Sequence, residues 1–145
     1  DEQGGRVRVA HGPEGGALQK LARLFRCGLG GRVASGEQWM SWVHADDTAR
    51  LFEWILASGS ASGVYNATAP NPVTNTEFTR TLARAVHRPA ILPLPAFAAR
   101  IALGEAADVL TTGAHVVPER ALAQGFTFRF TELDAALADL LGPRR

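Results

Sequence analysis

The side chains best suited to chemistry gather in one short run, Ser41-Trp42-Val43-His44-Ala45-Asp46-Asp47. An imidazole and two carboxylates this close together are the parts of an acid–base pair or of a metal site. His44 and Asp46 stand two positions apart, where strand-like sequence gives way to helix-like sequence. No second histidine follows at a ligand-like spacing, so no metal is expected. The aspartates suit the partial positive charge of a helix N-terminus, with His44 anchoring the junction by hydrogen bonds. Contact with a substrate is the alternative role for the cluster.

A tyrosine–lysine proton relay is ruled out within these residues by counting. Tyr65 is the one tyrosine and Lys20 the one lysine. Such a relay needs its lysine one helical turn after the tyrosine, to ease deprotonation of the phenol. Here Lys20 precedes Tyr65 by 45 positions, and position 69 is Ala69. The loop Gly28-Leu29-Gly30-Gly31-Arg32-Val33 is no dinucleotide fingerprint either. Its third glycine position is Val33, and it follows helix-like sequence where the fingerprint follows a strand. The turn His11-Gly12-Pro13-Glu14-Gly15-Gly16 does follow a strand and precede a helix. It is either a plain connection or a set of backbone N–H groups that hold a ligand.

The elements that carry these residues alternate. Val7–Ala10 reads as a strand, and Leu18, Leu21, Ala22 and Phe25 recur at helical spacing. Met40–His44 reads as a second strand. A helix opening at Asp46 and Asp47 is expected to bury Ala49, Phe52, Ile55 and Leu56, and Val64–Ala67 reads as a third strand. Thr74 and Glu77 make a Thr-x-x-Glu capping box, with Val73 and Phe78 as its hydrophobic staple. The helix that follows carries Phe78, Leu82, Ala85 and Val86. Ile91–Pro95 is extended, and a short helix after Pro95 carries Phe97, Ile101 and Leu103. Pro118 suits the first turn of another helix. Phe126, Phe128 and Phe130 alternate with polar residues as in a half-buried strand, and Thr131 is placed to cap a last helix.

With 145 residues, 46% of them hydrophobic, 20% charged and a net charge of +1, the composition is that of an ordered globular domain. The near-neutral balance argues against nucleic-acid partners. The fourteen arginines are scattered along the sequence. One cysteine, Cys27, excludes an internal disulfide. No apolar run approaches the ~20 residues of a membrane span, and the start lacks the features of a signal peptide. A cytoplasmic protein with no membrane partner is expected.

Ser41–Asp47 together with Gly63-Val64-Tyr65-Asn66-Ala67-Thr68-Ala69-Pro70-Asn71-Pro72-Val73-Thr74-Asn75-Thr76-Glu77-Phe78 resembles the second half of an NAD(P)-dependent epimerase/dehydratase, an extended short-chain dehydrogenase/reductase. The match is closest to the bacterial "epimerase family" branch, which carries its own C-terminal domain of unknown function. Further agreeing blocks are Gly12–Leu18, Arg88-Pro89, Gly104-Glu105, Val117-Pro118 and Gly125-Phe126.

The resemblance implies an α/β fold: edge strands of a Rossmann-like sheet plus a small substrate-side lobe. Residues 1–73 would be the C-terminal remnant of the nucleotide-binding domain, with inserted substrate-side segments, and 74–145 the lobe of unknown function. It implies that His11, Gly12 and Pro13 lie beside the nicotinamide end of a cofactor supplied with the other half. Gln38, Trp39, Met40, Trp42 and His44 would face an unknown small-molecule substrate. Sugar-nucleotide epimerases often carry Arg-Asp-Tyr-Ile-His-Val-Asp-Asp in this place, the arginine clamping phosphates. Met40 stands at that arginine's position and cannot do so.

The chain then reads as the C-terminal portion of an NAD(P)-dependent oxidoreductase-like protein, inactive alone, binding no cofactor by itself and contributing no catalytic residue. A non-catalytic binding or regulatory module is the competing reading. Self-association, or pairing with a nucleotide-binding half, is the partner expectation. The strands and the Leu18/Leu21/Phe25 helix would lack part of their covering.

Overall fold

A computed structural model describes residues 8–11, 16–59, 63–104 and 115–142. Its first strand, β1 (Arg8–His11), leads to α1 (Gly16–Arg26), whose apolar positions fall on one face. Contrary to the expected lack of cover, Leu18, Leu21 and Phe25 of that face are 9%, 7% and 3% exposed. They share a core with Phe78, Leu82, Leu133 and Leu137 from later in the chain, which supply the covering. Val7, at the start of the expected strand, lies outside the described residues.

The glycine-rich loop after α1 acts as backbone packing. Leu92 N–H donates to Gly30 O, Leu94 N–H to Arg32 O and Ala34 N–H to Leu94 O, so the segment runs beside 92–94. A Cβ at Gly31 would run into the Leu92 carbonyl, which is why glycine is needed there. The second strand is shorter than Met40–His44. β2 is Trp39–Met40 alone, because the chain leaves it towards Ala69, whose N–H donates to Trp42 O at 2.7 Å.

Helix α2 (Ala45–Ala57) follows. Its buried stripe is Thr48, Leu51 and Ile55 with Asp47, while the expected Ala49, Phe52 and Leu56 face outwards. Phe52 and Leu56 are 40% and 85% exposed. The helix is rotated from the simple hydrophobic reading because the buried Asp47 carboxylate fixes which face turns inwards.

β3 (Val64–Ala67) pairs in parallel with β1, from Arg8 opposite Val64 to His11 opposite Ala67. β4 (Val73–Thr74) pairs antiparallel with β2, Met40 opposite Val73 and Trp39 opposite Thr74. The prolines at 70 and 72 separate the two short ladders, since proline supplies no N–H to extend either.

The β4 pairing sets up the start of α3 (Asn75–Val86). Thr74 is extended and its Oγ1 accepts the Glu77 N–H at 3.3 Å. This is one half of the capping box; among the described residues the Glu77 carboxylate makes no return bond. Val73 packs on the cluster that holds Phe78, as a staple would. Phe78 and Leu82 are fully buried, a gain of ~1.5–3 kcal/mol each. His87 ends the helix in a left-handed conformation, φ 56°.

α4 (Ala96–Leu103) is the short helix expected after Pro95; it buries Ala99, while Phe97 and Ile101 are 71% and 82% exposed. α5 (Glu119–Ala123) begins after Pro118. Phe126 and Phe128 are both buried, yet 126–130 forms no strand: among the described residues no second strand pairs with it. The alternation instead packs two rings edge-on, 4.8 Å apart, against Leu51, Ile55 and Tyr65. The last helix, α6 (Leu133–Leu141), is preceded by Glu132 as N-cap residue, and Thr131 makes no cap bond. α6 packs on α3. Both core clusters draw residues from either side of position 73.

Thr74→Ala should cost ~1 kcal/mol through loss of the cap. A denaturant melt read by far-UV circular dichroism checks it, with an unchanged slope showing that the denatured state is unaffected.

Candidate functional site

His44 is the N-cap of α2. Its Nδ1 accepts the Asp46 N–H at 3.0 Å, so a side chain first read as an anchor does the capping expected of the aspartates. Accepting at Nδ1 leaves Nε2 as the donor, and Nε2 lies 2.8 Å from Asp139 Oδ2 on α6. The ring is 2% exposed and stacks on Phe130 at 4.1 Å, the planes 10° apart. His44, Asp46 and Asp139 could in principle gather around a cation, their ligand atoms lying within 4.8 Å of one another. Both imidazole nitrogens are already engaged, however. A metal would have to displace either the cap or the Asp139 bond.

Asp47 is the other half of this junction. It is 0% exposed, Oδ1 accepting the Arg129 N–H and Oδ2 the Phe130 N–H, each at 2.9 Å. Arg50 Nη1 adds a third bond to Oδ1 at 2.9 Å. The carboxylate thus does far more than complement a helix dipole. It holds the 129–130 backbone, which otherwise has no ladder, against the first turn of α2.

The remaining expected site residues divide sharply. His11 ends β1, in register with Ala67; Gly12 and Pro13 lie outside the described residues. Met40 is 2% exposed and its sulfur accepts the Asn75 amide N–H at 3.3 Å. Trp42 is 3% exposed and donates from Nε1 to Asn71 O at 2.9 Å. Gln38 is half-buried, with Nε2 donating to Val33 O at 2.9 Å. Trp39 differs. It is 42% exposed, with the exposed His115 ring edge-on at 4.6 Å. Segment 115–117 is held there because Ser41 Oγ accepts the Val116 N–H at 2.9 Å and Asn66 Nδ2 donates to Val117 O at 3.4 Å.

Several participants were not visible in the sequence. Asn75 is 1% exposed, its Oδ1 accepting the Val33 N–H at 2.7 Å, and sequence alone showed only the cap beside it. Nothing local in the sequence marks Asp139 as the partner of His44. Thr68, directly after β3, is 2% exposed, and its hydroxyl has no partner among the described residues. Tyr65 serves packing: it is fully buried, and its hydroxyl donates to Gln124 Oε1 at 2.6 Å.

A parallel strand pair with helical and irregular segments around its carboxyl end defines a mixed α/β protein that matches part of the extended short-chain dehydrogenase/reductase epimerases. The human epimerase family protein SDR39U1, solved with NADPH, superposes with a TM-score of 0.83 at 37% identity, over 93% of this chain and 48% of that one. The mouse epimerase family protein SDR39U1 is 41% identical over 94% of this chain and 47% of its own length. The epimerase family protein YfhF of Bacillus subtilis is 37% identical over 91% of this chain and 44% of its own. Residues 94–140 match DUF1731, a domain of unknown function. The chain is similar to these epimerase family proteins and spans about half the length of the relatives it matches. Among the described residues, no helix is long and apolar enough to cross a membrane.

Two substitutions separate structure from chemistry here. Asp47→Asn places an amide against N–H donors and should cost about 3 kcal/mol, well above Thr74→Ala, because a buried charge-assisted network is broken; equilibrium unfolding of the pair measures the ratio. Thr68→Val should leave the isolated chain unchanged or stabilise it by about 1 kcal/mol, since it removes an unsatisfied buried hydroxyl. A loss of that size in a thermal melt would mean the hydroxyl is bonded.

Proposed function

We propose that the chain is the substrate-side portion of an NAD(P)-dependent epimerase or oxidoreductase and acts with a nucleotide-binding half that supplies the dinucleotide fingerprint and the proton relay. The parallel pairing of β1 with β3 carries this reading. In open parallel sheets, ligands lie beyond the carboxyl ends of the strands. Those ends are His11 and Ala67, the latter followed directly by Thr68. The buried, unpartnered Thr68 hydroxyl suits a hydrogen bond to a group brought by the cofactor or the other half. The human relative SDR39U1 was solved with NADPH, which makes a dinucleotide of that class the cofactor of choice.

Two parallel strands alone are a minimal sheet, and their outer edges invite further strands. Val64, Phe52 and Leu56 supply exposed apolar surface that a covering half would bury. On this reading the dinucleotide delivers and accepts hydride when bound, while this chain shapes the substrate pocket. Trp39 and His115 offer an aromatic wall, and Gln38 a polar group beside it. Met40, buried and bonded to Asn75, offers no cationic clamp. A nucleoside-diphosphate sugar is therefore disfavoured against a smaller, less anionic substrate.

The isolated chain should neither oxidise NADPH nor bind it tightly, and both properties should appear on reconstitution with the nucleotide-binding half of a relative. Calorimetry on the chain alone showing a Kd tighter than ~10 μM, about −7 kcal/mol, overturns the proposal.

A further inference from the structure

A second concave surface lies outside the site just described. α3, the segment 88–93 and Arg32 enclose a groove of about 840 Å³, within the size range of small-molecule pockets. Its walls hold four arginines and one histidine and no carboxylate. Thr76, Arg80 and Arg84 follow one another at four-residue intervals along one face of α3, and Arg88 continues the interval just past its end. Arg32 reaches the same groove from the glycine-rich loop. Arginines that are scattered in sequence thus converge in space.

Like charges four apart on a helix destabilise it, so the repeated spacing carries a cost that a bound anion would offset. No ion pair among the described residues neutralises these four side chains. Arg84 donates one bond to Thr81 Oγ1 at 3.4 Å and Arg88 one to His87 O at 3.1 Å. Each guanidinium has five donors, so most remain for a ligand. Arg80 and Arg84 also border a smaller groove on their far side with Glu77, Glu132 and Asp134. Arg32 and Arg88 do not, and they are the groove's uncompensated charges. The floor is apolar: Ile91 is 77% exposed there, between Pro89 and Pro93.

We propose that this groove binds a small phosphorylated organic molecule. Its phosphates would be held by Arg32, Arg80, Arg84 and Arg88, and its apolar or aromatic body would lie on Ile91 and the flanking prolines. Guanidinium forks match phosphate oxygens in geometry as well as charge. The mixed lining favours an organic phosphate over a bare ion. The site shares no residue with the Gln38–His44 segment, so it stands or falls independently of dinucleotide binding.

ADP and inorganic pyrophosphate, titrated at low salt into the 145-residue chain, are the probes. ADP should bind more tightly than pyrophosphate, and Arg32→Gln/Arg88→Gln should weaken ADP by about tenfold or more with no change in unfolding midpoint. Arg80→Gln should weaken it in the same sense, and Arg23→Gln on α1 should have no effect. ADP binding that is absent at ~10 mM, a ceiling beyond which affinity is only a few kcal/mol, would overturn the proposal. So would binding that is unchanged in the double variant or equally lost in Arg23→Gln. Pyrophosphate matching ADP would overturn the organic-body assignment, and tighter binding of an acidic hexapeptide would overturn the small-molecule one.

Discussion

The enclosed carboxylate of Asp47 is the constraint on which the arrangement turns. A fully buried charge is tolerable only with every oxygen engaged, and here two backbone N–H groups and a guanidinium provide that engagement. The consequences run outwards. The inward face of α2 is fixed, so Leu51 and Ile55 point to the core and Phe52 and Leu56 do not. The 129–130 backbone is held without strand pairing, and Phe130 is brought flat against His44. With that ring in place, the imidazole can cap its own helix through one nitrogen and reach α6 through the other.

The parts legible in the sequence are those governed by local rules. Thr74 announced a helix start because capping depends on neighbours three residues apart. Val64–Ala67 was read correctly because β-branched and aromatic residues between turn signals leave few alternatives. The outward turn of Phe52 could not be read, since hydrophobic spacing alone does not say that an aspartate is to be buried. The phenylalanine alternation gave the right inside and outside but the wrong element: burial follows period two whether or not a ladder forms. His44 was recognised as a junction residue, while its partner Asp139 was not, because nothing local marks a contact across 95 positions. The roles of Met40 and Trp42 depended on the Asn75 side-chain amide and the Asn71 backbone carbonyl, partners that only the fold reveals.

The substrate-side surface is built by cross-bracing instead of by one element. β2 is two residues long and would not persist alone. It is held by β4, by the Asn75 N–H bonded to Gln38 O, and by Ser41 gripping Val116. Trp39 can therefore stand half in solvent without its backbone being loose. The exposed ring rests on a rigid support, which suits a surface that must keep its shape while a ligand comes and goes.

The His44–Asp139 bond bears on how the chain acquires its structure during synthesis. It joins residues 95 positions apart, and the Asp47 bonds to Arg129 and Phe130 span 82 and 83. Closing such long loops costs entropy before any contact repays it, so folds rich in them form slowly. On the ribosome, α2 would emerge with its carboxylate and imidazole lacking their partners until the last helix had left the exit tunnel. During that interval the nascent chain exposes its apolar faces, and its need for chaperone protection lasts until α6 has emerged and can pack.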